Sequence, residues 1–207
     1  MRNRPGRPET TALKEQDNSN QTSDAAADAG KPDGGAADVA GGGGWRKWVI
    51  TGGGLGLLKP APGSWGTCGP AVIFWLMLAG GVAEPLRSMI CLAGALAAGV
   101  LTVRLSPWAM RYFGDEDPGP VVLDEYAGYW VAAAFTPLPA QVAGNWMHAW
   151  LATAVIYILF RLTDTLKLPP CRQLERLPAG WGILLDDVAA GIQVNLLLQI
   201  LLRIWHW

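Results

Sequence analysis

Between residues 69 and 204 the chain runs through five apolar segments joined by short polar loops: Gly69–Ala83, Ser88–Leu105, Val121–Thr136, Trp146–Phe160 and Val188–Ile204. Each is 15 to 18 residues long, at the short edge of the roughly 17–25 residues that cross a bilayer as a helix. They are apolar on nearly every face, where a helix on the surface of a soluble protein shows a stripe. Trp108, Trp146, Trp150, Trp205 and Trp207 stand at segment ends, as an interfacial belt places them. Gly94, Ala95, Ala97, Ala98 and Gly99 are small enough to let helices approach closely in lipid. The pattern predicts an all-α, membrane-embedded bundle of about four to five apolar helices. A soluble bundle with buried helices is the alternative. The third segment is the weakest span, because Pro137 and Pro139 cut it off.

Residues 1–44 are different in kind. They are rich in Gly, Ala and Asp and almost free of large apolar side chains, so they cannot bury enough surface to offset their ordering entropy. They are expected to form a disordered tail ahead of a membrane domain at 45–207. The tail has no apolar h-region of a secretory signal, and its aspartates argue against a transit peptide. A net charge of −1 provides no basic field for nucleic acid. Cys68, Cys91 and Cys171 are odd in number and far apart, which suits a reducing side or membrane burial better than a disulfide framework. His148 and His206 lie in no polar motif and read as interfacial.

Tracing the segments across a membrane puts 46–67, 104–124 and 161–187 on one side. That side carries Arg46, Lys47, Lys59, Arg104, Arg111, Arg161, Lys167, Arg172 and Arg176, against Arg87 and Arg203 opposite. The bias marks the first side as cytoplasmic. Every chemically capable stretch therefore falls on one face, at the level of lipid headgroups.

Three stretches can carry chemistry. Asp124-Glu125 and Asp186-Asp187 share a context: each pair follows Leu, opens an apolar segment and is followed by Ala and Gly. Helical side chains lean toward the N-terminus, so both pairs point out into the loops, and Gly128 and Gly191 allow their helices to pack closely. Converging carboxylates repel unless a cation sits between them, and hard oxygen donors suit Mg²⁺. Simple helix capping by acids is the competing explanation. In the third stretch Arg161, Asp164 and Lys167 recur at i, i+3 and i+6. On a continuing helix they share a face, where Arg161 and Lys167 can hold phosphate and Asp164 can add a metal ligand; the alternative is a snorkelling cationic helix end. The Gly/Pro-rich loop Lys59–Thr67 offers backbone N–H groups and Lys59 as further phosphate contacts.

Other phosphatase chemistries lack their residues. Six positions after each cysteine stand Phe74, Ala97 and Leu177, where a cysteine phosphatase needs Arg. There is no Arg-His pair, no Asp-x-Asp at Asp164 and no nucleotide-binding P-loop. Metal-assisted attack on phosphorus remains, with a carboxylate nucleophile also open. The main rivals are a membrane transport protein binding a cation through interfacial carboxylates, and a soluble helical hydrolase of another phosphomonoester.

Taken in order, four motifs resemble the phosphatidylglycerophosphatase A family. They are the Pro-x-Pro-Gly-Ser-x-Gly of Pro60–Gly66, Val-x-Asp-Glu-x-x-Gly at Val122–Gly128, Phe-Arg-x-x-Asp-x-x-Lys…Glu-Arg over Phe160–Arg176, and Gly-x-Gly-Ile-x-x-Asp-Asp-x-x-Ala-Gly at Gly180–Gly191. The resemblance implies Mg²⁺-dependent hydrolysis of phosphatidylglycerophosphate in phospholipid biosynthesis, at the cytoplasmic face of a bacterial inner membrane and without an obligate protein partner. It also implies an all-helical fold. Carried over by position, Asp124, Glu125, Asp164, Asp186 and Asp187 form the catalytic and metal-binding acidic centre, and Arg161, Lys167, Arg172 and Arg176 contact the headgroup. One departure is Lys167-Leu168-Pro169-Pro170, where the family usually has Lys-Pro-x-Pro.

Overall fold

The computed structural model describes residues 43–178 and 180–205, and of Trp205 the backbone only. The expected tail up to residue 42, His206 and Trp207 lie outside the described residues; Gly43 and Gly44, assigned to the tail, open a helix instead. Seven helices follow one another without a strand among the described residues: α1 Gly43–Ile50, α2 Pro62–Ala79, α3 Glu84–Phe113, α4 Leu123–Ala133, α5 Trp146–Leu166, α6 Cys171–Leu174 and α7 Gly180–Trp205. The fold is the expected all-α membrane bundle.

Among the described residues three helices are long and apolar enough to cross a bilayer: α3, α5, and α7 over Gly180–Ile204. Their surfaces are inside out relative to a soluble protein. On α3 the large side chains Leu86, Met89, Leu96 and Val100 are exposed, whereas Ala95, Ala98, Gly99 and Thr102 are buried. Small residues inward and large apolar ones outward is the arrangement of helices that meet each other in lipid. Thr102 and Ser106 return their hydroxyls to the carbonyls of Ala98 and Thr102, at 2.9 and 2.6 Å, so neither hydroxyl is left without a partner on this small-residue face.

The third apolar segment is not a span of its own. Its helix, α4, has 11 residues and a length of about 16 Å, roughly half the hydrocarbon core. It is instead the centre of the bundle, packed against α2, α3, α5 and α7, with Tyr129, Ala132 and Ala133 in the main core. A helix that stops inside a membrane protein leaves its last carbonyls without partners. Asn195, midway along α7, meets this need: its side-chain amide donates to the carbonyls of Val131 and Ala132, at 3.1 and 3.0 Å, and to that of Ala134.

The other boundaries move outward from the apolar cores of the segments. α2 starts at Pro62, a residue suited to a first turn, so most of the expected Gly/Pro loop is helical. α3 continues to Phe113 and ends at Gly114 with φ 74°. α5 is capped by the Asn145 side chain, which accepts from the N–H groups of Met147 and His148, both at 3.1 Å. Among the belt tryptophans Trp146 and Trp150 are exposed as expected, but Trp108 is buried, stacked on Tyr112 at 4.8 Å between ring centres. The three cysteines are free thiols.

Candidate active site

The packing of α4 on α7 decides where the acidic pairs meet. The two helices cross at Gly128 and Gly191. A Cβ on Gly191 would strike the carbonyl oxygen of Gly128, and one on Gly128 would lie 2.7 Å from both the Asp187 carbonyl and the Phe160 ring. Asp124 precedes Gly128 by four residues and Asp187 precedes Gly191 by four. Each aspartate is therefore one helical turn from the crossing, on the crossing face. Asp186-Asp187 does not open its helix, as Asp124-Glu125 does; α7 begins at Gly180, about two turns earlier. That extra length carries the second pair down to the level of the first.

Around this point lies a cavity of about 840 Å³ walled by Asp124, Glu125, Asp164, Lys167, Asp186 and Asp187, with Arg176 among its other wall residues. It brings together all five predicted acids. Lys59 and Arg172 are exposed and do not wall it. Glu175, Asp117 and Thr67 join the site beyond the residues that the sequence singles out. Glu175 and Asp117 also wall the cavity, and Thr67 donates its hydroxyl to Glu125. Glu175 sits inside the Glu-Arg of the third motif, a signal that was present; Asp117 belongs to an acidic loop that no motif singles out.

Cations are shared out unevenly among the acids. Arg161 pairs with Glu125 at 3.1 Å and with Asp164 at 3.0 Å. Lys167 pairs with Glu175 at 2.7 Å and with Asp186 at 3.4 Å. Lys167 does not continue the α5 face as its spacing implied. It is the helix cap, in the left-handed region at φ 46°, and this turn directs its amine to α7 and to Glu175. Burial pulls the Lys167 amine down, and Glu175 and Asp186 more than offset it, leaving it above its ordinary value.

Among the described residues no cation is in contact with Asp124 or Asp187. Both are buried, and Asp124 Oδ1 and Asp187 Oδ2 have no hydrogen-bond partner. Burial, reinforced by the neighbouring Glu125 charge, holds the Asp124 carboxyl well above the usual carboxylate range. Burial also pushes Glu125 up to about 7, against the opposing pull of Arg161 and the Thr67 hydroxyl. Among the described residues no three His, Cys, Asp or Glu side chains close on one point as a finished metal cage. The donor chemistry nonetheless fits a hard divalent cation. Two buried carboxylate oxygens without partners lie on residues one helical turn from the same crossing, and Arg161 and Lys167 are held by other acids.

The first turn of α2 closes the site. Pro62 and Gly63 wall the cavity. A Cβ on Gly63 would strike Glu125 Oε1 and come within 2.9 Å of an Arg161 nitrogen, so any larger residue here would have to displace the Glu125–Arg161 pair.

Fold and site together define a helical membrane protein with a pocket of carboxylates and cations at one end of its helices. The sequence model of the phosphatidylglycerophosphatase A family matches residues 48–202, and the chain belongs to that family, one of phosphoric monoester hydrolases. Phosphatidylglycerophosphatase A of Haemophilus influenzae is 32% identical over 145 residues, covering 70% of this chain and 80% of the relative. That of Escherichia coli is 29% identical over 145 residues, covering 70% and 76%. A Bacteroides thetaiotaomicron protein provisionally named phosphatidylinositol-3-phosphatase is 32% identical over 155 residues, covering 73% and 90%. No solved structure matches the chain.

Proposed function

We propose that this chain is a Mg²⁺-dependent phosphatase that hydrolyses phosphatidylglycerophosphate to phosphatidylglycerol and phosphate in phospholipid biosynthesis. It works from the bacterial inner membrane with its site facing the cytoplasm. The single observation that carries this is the Asp124–Asp187 pair: two buried carboxylates with unpartnered oxygens in the wall of one cavity, each next in sequence to an acid that holds an arginine or a lysine. Family membership supplies the substrate, since two relatives carry the name of that activity. The excess of Lys and Arg on the site's side of the bundle supports the orientation.

Asp124 and Asp187 would hold Mg²⁺, with Asp164 and Asp186 beside them. Bound there, the ion supplies neutralisation of phosphoryl charge and a more acidic water. Arg161, fixed by Glu125 and Asp164, keeps further N–H groups for phosphate oxygens. Lys167 adds a point charge from the cavity wall. In the reaction a water oxygen bonds to phosphorus, the bond from phosphorus to the glycerol oxygen breaks, and that oxygen leaves with a proton. No protein partner is needed for these steps.

The test is phosphate release from phosphatidylglycerophosphate by detergent-purified protein. Release that stops in EDTA and returns with Mg²⁺ is expected. Equal release in EDTA removes the metal from the scheme, and a preference for phosphatidylinositol 3-phosphate moves the substrate toward the Bacteroides relative.

A further inference from the structure

A second concavity begins where the polar site ends. It is an apolar groove of about 290 Å³ between α2 and α5, walled by Cys68, Val72 and Trp75 on one side and by Trp150, Ala154 and Tyr157 on the other. Its upper end is tied to the site. Tyr157 donates its hydroxyl to the Ser64 carbonyl at 2.9 Å. Ser64 directly follows Gly63, which packs on Glu125 and Arg161, and Arg161 lies four residues, or about 6 Å, beyond Tyr157 on α5. The lower end is closed by Trp75, whose indole donates to the Trp146 carbonyl at 3.1 Å. From Tyr157 to Trp150 the groove runs about 10 Å along a spanning helix. Val72 and Trp150 are exposed on its rim, so it opens sideways, toward lipid.

We infer that this groove seats one acyl chain of the phosphorylated lipid whose headgroup occupies the carboxylate cavity. The inference rests on the function proposed above and adds a chain-binding subsite to it. A lipid phosphate bound at Arg161 and Lys167 must place its chains on an apolar surface continuous with that point. The α2–α5 seam is that surface, because its wall residue Tyr157 is hydrogen-bonded to Ser64, the residue after Gly63. The apolar hollow near His148 and Leu202 has no such continuity. The groove thus lets substrate enter from the bilayer without lifting its chains into water.

Filling the groove tests this. Ala154→Trp is expected to raise KM for dioleoyl phosphatidylglycerophosphate about tenfold relative to the dihexanoyl analogue, the effect of a few methylenes left unburied. The outward-facing Ile158→Trp should keep the wild-type ratio. In the wild-type protein Cys68 is half-buried in the groove, while Cys91 and Cys171 are buried. Alkylmaleimide labelling of Cys68 should be lost in dioleoyl phosphatidylglycerophosphate and persist in phosphatidylethanolamine at equal mole fraction. An unchanged chain-length ratio in Ala154→Trp overturns the inference. So does equal protection by phosphatidylethanolamine, or protection that depends on protein concentration, which would make the groove a contact between copies. If wild type releases phosphate from neither substrate, the parent reading falls, and the labelling still decides the groove.

Discussion

The two acidic pairs look alike in sequence and are treated differently by the fold. Asp124-Glu125 stands in the first turn of a short central helix, and Asp186-Asp187 stands in the second turn of a long spanning one. In each pair one acid is bound by a cation: Glu125 by Arg161, Asp186 by Lys167. In each pair the other acid, the one a turn before the crossing glycine, is left with an unpartnered oxygen. Helical periodicity makes the difference. Adjacent residues point about 100° apart on a helix, so a pair can present one carboxylate to the neighbouring helix and the other to a cation at the side. Two adjacent acids thus divide into a structural member and an open one.

If that division is right, its largest consequence is catalytic. Asp124→Asn and Asp187→Asn should each lower kcat by over ~100-fold, as loss of a charged ligand to a catalytic cation does. Both variants should stay folded, since neither breaks an ion pair within the protein; a monodisperse profile in detergent and a Tm no lower than that of the wild type would check this. Near-normal turnover in both would erase the distinction between open and paired acids. Glu125→Gln and Asp186→Asn should fall less, by about tenfold, because their loss acts by freeing Arg161 and Lys167 instead of by removing an open ligand. A Glu125→Gln variant as inactive as Asp124→Asn would place both members of the first pair at the reacting centre.

The crossing itself can be broken. Gly191→Ala should destabilise the fold by about 1–3 kcal/mol, the usual penalty of overpacking, and lower activity in parallel as the two aspartates separate. Thermal unfolding in detergent reads the first effect and phosphate release the second. Asn195→Leu should lower stability by a similar ~1–3 kcal/mol, from buried carbonyls left unsatisfied at the end of α4, while the distant site keeps most of its activity. The smallest effects belong to Lys59→Ala and Arg172→Ala. Both side chains are exposed and outside the cavity wall, so kcat/KM should change less than about twofold, as at sites far from special contacts.

The apolar segments announced themselves because hydrophobicity is a property of composition, readable without knowing any contact. For the same reason the segment at Val121–Thr136 misled. A run of apolar residues reads the same whether lipid or protein covers it, and only packing shows that α4 is sheathed by four neighbours. The element ends shifted likewise. Lys59–Thr67 looked like a loop by its Pro and Gly content, yet Pro62 suits the first turn of a helix and Gly63 is there to admit Glu125 and Arg161. Glu175 escaped notice because an acid beside an arginine in a polar loop looks like surface, until Lys167 turns toward it.

By itself the sequence determined the class of fold, the family, and the list of acids that could act, since patterning and motif spacing are local properties of the chain. Tertiary structure alone decided which acids are open and which are neutralised, that Lys167 faces α7 instead of the headgroup side of α5, and that one apolar segment is a buried core helix. Those outcomes depend on the approach of α4 to α7 at Gly128 and Gly191, a contact between residues more than sixty positions apart. Such a contact is selected by packing and by the satisfaction of buried polar groups, which no stretch of sequence contains alone.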